Sequence, residues 1–223
     1  MSQELKMTGM VLLAVPYGEY DRRVVLLTKE SGKITAFARG ARRPTSSLLA
    51  ATGAFNFGTF TLFEGRTAYT LASADIRNYF SGLKADLDGS CYGSYFMEFA
   101  SYYGRENLDA SEMINLLYAS LRALENPLIP DVLVRYIYEI RMMVINGEFP
   151  QDAAWDPSLL ESARYALQFI ISAPLKNLYS FTVTDQVLDQ IIRVQDKIRE
   201  RLIDTRMKSL EILEMMTGTD HGL

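Results

Sequence analysis

The chain has 223 residues, of which 48% are hydrophobic and 22% charged, the composition of an ordinary soluble globular protein. This length suffices for one large domain or two ordinary ones. The single cysteine, Cys91, excludes an intrachain disulfide and a zinc site built from several thiolates. The N-terminus lacks a signal-peptide pattern, and no apolar run approaches the ~18 residues of a membrane-spanning helix. The sequence therefore predicts a cytoplasmic protein.

Charge is divided unevenly along the chain, whose net charge is −4. Residues 1–80 carry ten Lys and Arg against six Asp and Glu, a net charge of +4. Residues 81–223 carry thirteen against twenty-one, a net charge of −8. Such asymmetry indicates two modules with different partners. We expect residues 1–80 to bind nucleic acid and residues 81–223 to bind proteins.

Strand-like runs bounded by Gly, Pro or charged turn residues fill the first 80 residues. These runs are Gly9–Val15, Arg22–Thr28, Lys33–Arg39, Phe55–Phe63 and Ala68–Ile76. A short helix at Ser46–Ala50 follows the third run and Pro44. Five strands with a helix after the third predict an OB-fold, a small Greek-key barrel used for single-stranded nucleic acid, and an SH3-like barrel fits the same pattern.

From about Ser81 the apolar period changes from two residues to 3.6, which indicates helices. Their predicted positions are Leu83 to Tyr103, Asp109 to Leu124, Pro130 to Val144, Asp156 to Ile170, Thr184 to Ile198 and Arg206 to Met216. The predicted fold class is therefore α+β, an N-terminal β-barrel followed by a helical bundle.

The third strand leads into a cationic turn, Ala38-Arg39-Gly40-Ala41-Arg42-Arg43-Pro44. Alternation along this strand places Lys33, Thr35, Phe37 and Arg39 on one face, with Ile34, Ala36 and Ala38 on the other. Cations beside an aromatic ring suit single-stranded nucleic acid, because phosphates pair with Arg and Lys while unstacked bases lie on π-faces. A bulge that shifts the register by one residue would instead turn Phe37 into the core.

The predicted DNA-contacting residues are the cations of this basic half and two aromatic residues. The cations are Arg22, Arg23, Lys33, Arg39, Arg42, Arg43 and Arg66, and the stacking candidates are Tyr17 and Phe37, each of which also suits the barrel core. Arg42 and Arg43 are favoured, because a turn between Gly40 and Pro44 can present both guanidiniums outward.

Catalytic chemistry has no visible site in the sequence. The only histidine, His221, lies two residues from the end, so a Ser-His-Asp or Cys-His site is not expected. No phosphate-binding glycine loop occurs. The acid pairs Glu19 with Asp21 and Asp86 with Asp88 would need a third ligand to hold Mg²⁺ for a nuclease. We therefore expect a binding protein without catalytic residues, a metal or a cofactor.

The chain resembles the RecO family of bacterial recombination mediators. The resemblance begins at Thr8-Gly9-Met10-Val11-Leu12, continues through Tyr17-Gly18-Glu19-Tyr20-Asp21 and is most specific from Gly32 to Pro44. Later segments keep the family order, among them Ala74-Asp75-Ile76 and the closing Arg206-Met207-Lys208-Ser209-Leu210.

This resemblance implies an OB-fold followed by a helical domain that binds single- and double-stranded DNA without a covalent reaction. Proteins of this kind anneal complementary strands, act with RecR, contact the single-strand-binding protein and help load the RecA recombinase. Many members also carry a zinc site made of cysteines. Here the corresponding segment is Gln151-Asp152-Ala153-Ala154-Trp155-Asp156-Pro157, which has no cysteine, so we predict no zinc.

Few sequence features indicate where the helical half binds its partners. Arg135 and Arg141 flank an apolar helical stripe and could receive the acidic tail of the single-strand-binding protein, although ordinary salt bridging explains them as well. A second function class also stays open, in which the barrel of a scaffold protein binds another protein and its basic turn serves solubility.

Overall fold

The N-terminal strands close into a barrel because buried and exposed side chains alternate along them. The computed structural model describes residues 4–218. Its strands are β1 (Glu4–Tyr17), β2 (Asp21–Thr28), β3 (Gly32–Ala38), β4 (Phe57–Phe63) and β5 (Tyr69–Asn78). They pair in the order β1-β2-β3-β5-β4, and β1 closes the barrel on β4. The short helix α1 (Leu48–Ala51) lies between β3 and β4. The predicted OB-fold is confirmed.

The barrel core consists of the inward-facing residues of these strands. In β3 every second residue is buried, beginning with Gly32, and the intervening ones are half-buried on the outer face. The largest core side chains include Met7, Val11, Leu26, Ile34, Phe60, Leu62 and Leu71. Burial of such side chains contributes ~1.5–3 kcal/mol each, so the barrel has its own stabilising core.

Seven helices follow the barrel in the described part of the chain. They are α2 (Ser81–Ala85), α3 (Leu87–Tyr103), α4 (Ser111–Leu124), α5 (Asp131–Ile145), α6 (Glu161–Ser172), α7 (Asp185–Leu202) and α8 (Lys208–Thr217). None of the helices among these residues is long and apolar enough to cross a membrane. The α+β class is thus confirmed.

One predicted helix, Leu83 to Tyr103, is in fact two. The break falls at Asp86, whose Oδ2 accepts a hydrogen bond of 2.9 Å from the Gly89 backbone N–H. A carboxylate that bonds the amide three residues later satisfies an otherwise unpaired donor at the start of a new helix. Asp86 therefore begins α3 instead of continuing α2.

The described residues form two compact units. The barrel unit comprises residues up to 84 together with 97–115, and the helical unit comprises 85–96 and the residues from 116 onward. The assignment of DNA binding to residues 1–80 and partner binding to residues 81–223 stays a prediction.

Candidate nucleic-acid interface

The alternation of β3 determines which of its side chains are available to a ligand. Ile34, Ala36 and Ala38 are buried in the barrel, whereas Phe37 is half-buried on the outer face and Arg39 is exposed just beyond the strand. The register of β3 against β2 is regular, with Arg23 opposite Phe37. No bulge therefore turns Phe37 inward, and its ring lies outside the barrel core.

Tyr17 and Phe37 form an aromatic pair on this outer face. Their ring centroids are 4.7 Å apart and the ring planes are inclined by 54°. Tyr17 ends β1 and is 54% exposed, so much of its ring is open to solvent. An aromatic pair in tilted contact holds both rings in place, while the solvent-facing surfaces can accept a flat ligand.

Arg23 and Arg39 stand beside this aromatic pair. Both side chains are exposed, and neither guanidinium makes a hydrogen bond or an ion pair with another residue of the described chain. Their positive charge is therefore neutralised only by solvent ions, which a phosphate can replace.

The cationic turn after β3 is fastened to the β1–β2 turn. The Arg42 backbone N–H donates to the Tyr20 carbonyl over 2.8 Å, and Arg42 Nη1 donates to the Glu19 carbonyl over 3.0 Å. Asp21 Oδ1 accepts a 2.7 Å hydrogen bond from Gly40 N–H. Arg43 lies over the Tyr20 ring, with its guanidinium carbon 5.0 Å from the ring centroid. These contacts preorganise the two turns next to the aromatic pair.

We refer to the surface formed by these side chains as the basic aromatic face. It consists of Tyr17, Tyr20, Arg23, Phe37, Arg39, Arg42 and Arg43. Tyr20 is not among the DNA contacts predicted from the sequence. A local signal for it exists, because Tyr17 and Tyr20 are only three residues apart, on either side of Gly18. Gly18 has a φ of 59°, a conformation that favours glycine there.

Two predicted DNA contacts are directed elsewhere. Arg22 precedes Arg23 on β2 and therefore points to the opposite side; its Nη1 donates to the Leu49 carbonyl and to Thr52 Oγ1, over 2.9 and 2.8 Å. Lys33 Nζ donates to the Ser101 carbonyl over 2.6 Å. Burial, followed by the nearby Arg105 charge, lowers the pKa of Lys33. Both cations serve the barrel unit itself, so neither belongs to the basic aromatic face.

Arg66 lies in the β4–β5 loop, away from the two fastened turns. It lines a polar cavity of about 310 Å³ together with Thr35, Tyr69 and two carboxylate side chains, Glu64 and Glu106. These acids oppose the attraction of Arg66 for a phosphate. Arg66 is thus placed differently from the cations of the basic aromatic face.

The predicted pair of tail-binding arginines does not form an exposed site. Arg135 is only 3% exposed, and its Nε donates to Glu139 Oε1 over 2.9 Å. Arg141 is half-buried and its Nη1 donates to the Ile170 carbonyl over 3.2 Å. Burial among packed helices and engagement by internal acceptors remove Arg135 from any docking surface. The prediction for Arg135 is therefore corrected.

Metal-ligating groups can be assessed only in the described residues. Among residues 4–218 no three His, Cys, Asp or Glu side chains are grouped as a metal site requires, and His221 lies outside the described residues. The expectation of no zinc and no cofactor stays a prediction.

The fold and this surface define a class: an OB-fold protein with a basic, aromatic β2–β3 face, followed by a helical unit. The β2–β3 face and the β1–β2 loop are the surfaces that OB-folds commonly use for oligonucleotides. The same elements here carry the basic aromatic face.

Sequence comparison finds similar proteins of one family. A family model described as "Recombination protein O N terminal" matches residues 1–80. The "DNA repair protein RecO" of Acetivibrio thermocellus is 27% identical over 247 aligned positions, which cover 95% of this chain and 97% of that protein. The protein of the same name from Alkaliphilus metalliredigens is 33% identical over 66% of this chain and 59% of its own length. The chain is thus similar to RecO proteins along nearly its whole length.

Proposed function

We propose that the basic aromatic face binds single-stranded DNA. The observation that carries this proposal is the exposed Tyr17–Phe37 pair with Arg23 and Arg39 beside it. Unpaired bases stack on aromatic rings for ~1–3 kcal/mol per base, and guanidiniums next to the rings neutralise the phosphates that follow each base. Double-stranded DNA offers the same phosphates and binds through the cations alone.

We further propose that the chain acts in DNA repair and recombination as a mediator that binds both forms of DNA and anneals complementary strands. The match of residues 1–80 to the family model and the name shared by similar proteins support this role. On this proposal it works with RecR, contacts the C-terminal tail of the single-strand-binding protein and helps load RecA. It uses no cofactor, catalyses no covalent step and is located in the cytoplasm with the nucleoid. Because Arg135 is buried, we expect the tail to dock on a surface that does not include it.

The competing function is a scaffold whose barrel binds a protein instead of DNA. The two functions differ in their dependence on salt, because DNA binding releases counterions and the logarithm of the affinity falls linearly with that of the salt concentration. Binding to a protein through an apolar surface lacks this steep dependence. Titration of a labelled thymine oligonucleotide at several salt concentrations separates them.

The matched variants for this titration are Arg23→Ala with Arg39→Ala and, as a control, Arg122→Ala. Arg122 is exposed in the helical unit and pairs with Glu125. The double variant is expected to lose about 1.4 from the salt slope, roughly 0.7 for each lost phosphate contact on a single strand. The control should leave the slope unchanged. Equal slopes for all three proteins would contradict the assignment of the face.

The mediator role is tested by annealing of complementary strands with and without the single-strand-binding protein. We expect annealing in both conditions, and lower rates for the Arg23→Ala, Arg39→Ala variant. Titration with the tail peptide tests the partner separately. Absence of peptide binding would remove the proposed tail contact while leaving DNA binding intact.

A further inference from the structure

The polar cavity in the barrel unit has an unusual mixture of charged groups. Its lining includes the Arg66 guanidinium and the carboxylates of Glu64 and Glu106. Within the described chain no ion pair or hydrogen bond joins these three side chains to one another or to other residues. Its volume of about 310 Å³ is at the lower limit of small-ligand sites, which suits one small ring system.

The backbone fixes the position of the acidic side of this cavity. Residue Glu106 forms an antiparallel bridge with Gly32, and Asn107 N–H donates to the Ser31 carbonyl over 3.0 Å. Gly32 has a φ of 64°, and a Cβ there would lie 2.0 Å from the Arg105 carbonyl oxygen. Only glycine allows this close approach, so the β2–β3 turn holds Glu106 at the cavity.

The Tyr69 phenol interacts electrostatically with both acids. Burial, and then the carboxylates of Glu64 and Glu106, raise the pKa of its phenol above the ordinary value of 10.0. The phenol is thus a hydrogen-bond donor at neutral pH. Glu64 and Glu106 both line the cavity, and their negative charges make it unfavourable for a phosphate group.

The cavity lies next to the basic aromatic face along β3. Thr35, which lines the cavity, is two residues from Phe37 on the same outer face, a rise of about 7 Å. Thr70, next to Tyr69, is paired with Phe37 on the adjacent strand β5. A strand whose base stacks on Phe37 thus has a neighbouring base within reach of the cavity.

Among the four DNA bases, guanine matches the groups that line this cavity. Its O6 and N7 accept both arms of an arginine, which is the commonest specific base contact of arginine. Its N1–H and N2 amino group are two adjacent donors, and one carboxylate can accept both. Adenine, cytosine and thymine do not offer two adjacent donors to a carboxylate. Because N1 and N2 belong to the pairing edge, only an unpaired guanine can bind in this way.

We propose that this cavity holds one unpaired guanine of the bound strand, with Arg66 on O6 and N7 and Glu64 or Glu106 on the N1 and N2 donors. This inference rests on the proposed binding of single-stranded DNA. It adds a base preference to a surface whose stacking and phosphate contacts are otherwise indifferent to sequence. The bound guanine has to leave the cavity before it can pair with a complementary strand.

The test compares thymine oligonucleotides that carry one central guanine, inosine, adenine or cytosine, by competition for the full-length protein. The guanine oligonucleotide is expected to bind about five- to tenfold more tightly than thymine alone, the lower part of the range for a bidentate base contact. Inosine lacks the N2 amino group and should be intermediate. Equal affinities for all four, with salt-dependent binding retained, would overturn the guanine site and leave the proposed function standing.

Variants assign the preference to the cavity. Glu64→Gln with Glu106→Gln should lower the ratio of guanine to thymine affinity to the part that Arg66 contributes through O6 and N7, although the loss of negative charge strengthens binding to every oligonucleotide. The control, Asp75→Asn with Glu112→Gln, removes two exposed carboxylates of the same unit and should keep the ratio. Arg66→Lys keeps the charge but loses the two-armed geometry, so the ratio should fall while thymine affinity stays the same.

An undiminished ratio of guanine to thymine affinity in the Glu64→Gln, Glu106→Gln variant would overturn the inference, because the carboxylates of the cavity would then not contact the base. If no oligonucleotide binds with a salt dependence, the proposed function fails first and the guanine site fails with it. The two failures are therefore distinguishable in one set of titrations.

Discussion

Arg23 and Arg39 of the barrel unit and Arg135 of the helical unit lie in opposite surroundings. Arg23 and Arg39 are exposed and have no carboxylate partner in the described chain. Arg135 is buried and ion-paired with Glu139, whose other oxygen lies 3.8 Å from Arg199. An exposed guanidinium can exchange its counterions for a phosphate, whereas a buried one must be neutralised within the protein. Whether an arginine has a carboxylate partner therefore determines whether it is available to bind phosphate or serves the packing of the protein.

Tyr17 and Tyr95 show the same contrast between an exposed and a buried side chain. Tyr17 is 54% exposed against Phe37, whereas Tyr95 is fully buried and its hydroxyl donates to Glu139 over 2.8 Å. Burial and then the Glu139 charge hold the pKa of Tyr95 well above its ordinary value of 10.0. The buried phenol is a permanent donor that satisfies Glu139. The exposed one offers its ring surface to a ligand.

The largest expected effect comes from removing the charge that binds the helical unit together. Glu139→Gln removes the fully buried carboxylate that pairs with Arg135 and Arg199, which then keep only the partly exposed Glu214 and Asp196. Loss of one partner of a buried ion pair costs about 3–5 kcal/mol. Urea unfolding followed by circular dichroism measures this loss. The matched control is Glu125→Gln, which removes an ion pair whose Arg122 partner is exposed and should cost less than 1 kcal/mol.

The pH dependence of unfolding provides a second readout of Glu139. Burial opposes ionisation of this carboxylate, but the Arg135 and Arg199 charges outweigh it and hold the pKa of Glu139 below its ordinary value of 4.5. The unfolded chain therefore binds the proton more readily, so this contribution is present above pH 4.5 and is lost as the pH falls through the folded value. Glu139→Gln should remove that part of the acid dependence. An unchanged acid profile would contradict the role assigned to the buried carboxylate.

Next in size is the loss of stacking on the basic aromatic face. Tyr17→Ala should weaken binding of a thymine oligonucleotide by ~1–3 kcal/mol, because one base loses its ring surface. The salt slope should stay the same, since no phosphate contact is removed. Anisotropy titrations at several salt concentrations give both quantities. Tyr17→Phe should bind normally, and Tyr165→Ala, which removes a ring that is 71% exposed in the helical unit, is the control.

Much of the barrel was predictable because its strands have a strict alternation. The period of β3 placed Ile34, Ala36 and Ala38 together, and the structure buries all three. The sequence could not decide whether Phe37 faces the core, because that depends on pairing with β2 and on irregularities elsewhere. The register shifts in fact lie in β1, between Val11 and Leu13, and in the pairing of β4 with β5, and they leave the pairing of β3 with β2 regular.

Side-chain partners far apart in the sequence account for the errors in the predicted site. Lys33 donates to a carbonyl 68 residues away and Arg22 to one 27 residues away, and no local pattern indicates such contacts. Arg135 is different, because a local signal existed. Glu139 is four residues further along α5, among apolar side chains, and this spacing is that of a helical ion pair.

A smaller effect is expected when the fastened turns lose their cations. Arg42→Ala with Arg43→Ala should lower oligonucleotide affinity about tenfold and the salt slope by up to about 1.4, roughly 0.7 for each cation. Arg42 also holds the β1–β2 turn through the Glu19 carbonyl, so part of its loss acts through the position of Tyr20. Arg42→Lys separates these parts, since it keeps the charge. Unchanged affinity and slope in the double variant would exclude both arginines from the DNA path.

The smallest effect distinguishes a structural arginine from a binding one on the same strand. Arg22→Ala removes two hydrogen bonds to the end of α1, those to the Leu49 carbonyl and to Thr52 Oγ1, and should destabilise the barrel by about 1 kcal/mol. Its neighbour Arg23 makes no such contact, so Arg23→Ala should leave stability unchanged and lower the salt slope by about 0.7 instead. Urea unfolding and oligonucleotide titration of both variants show whether Arg22→Ala affects stability alone and Arg23→Ala affects DNA binding alone. If Arg22→Ala lowered the salt slope as much as Arg23→Ala does, the assignment of Arg22 to barrel stability and of Arg23 to DNA binding would be wrong.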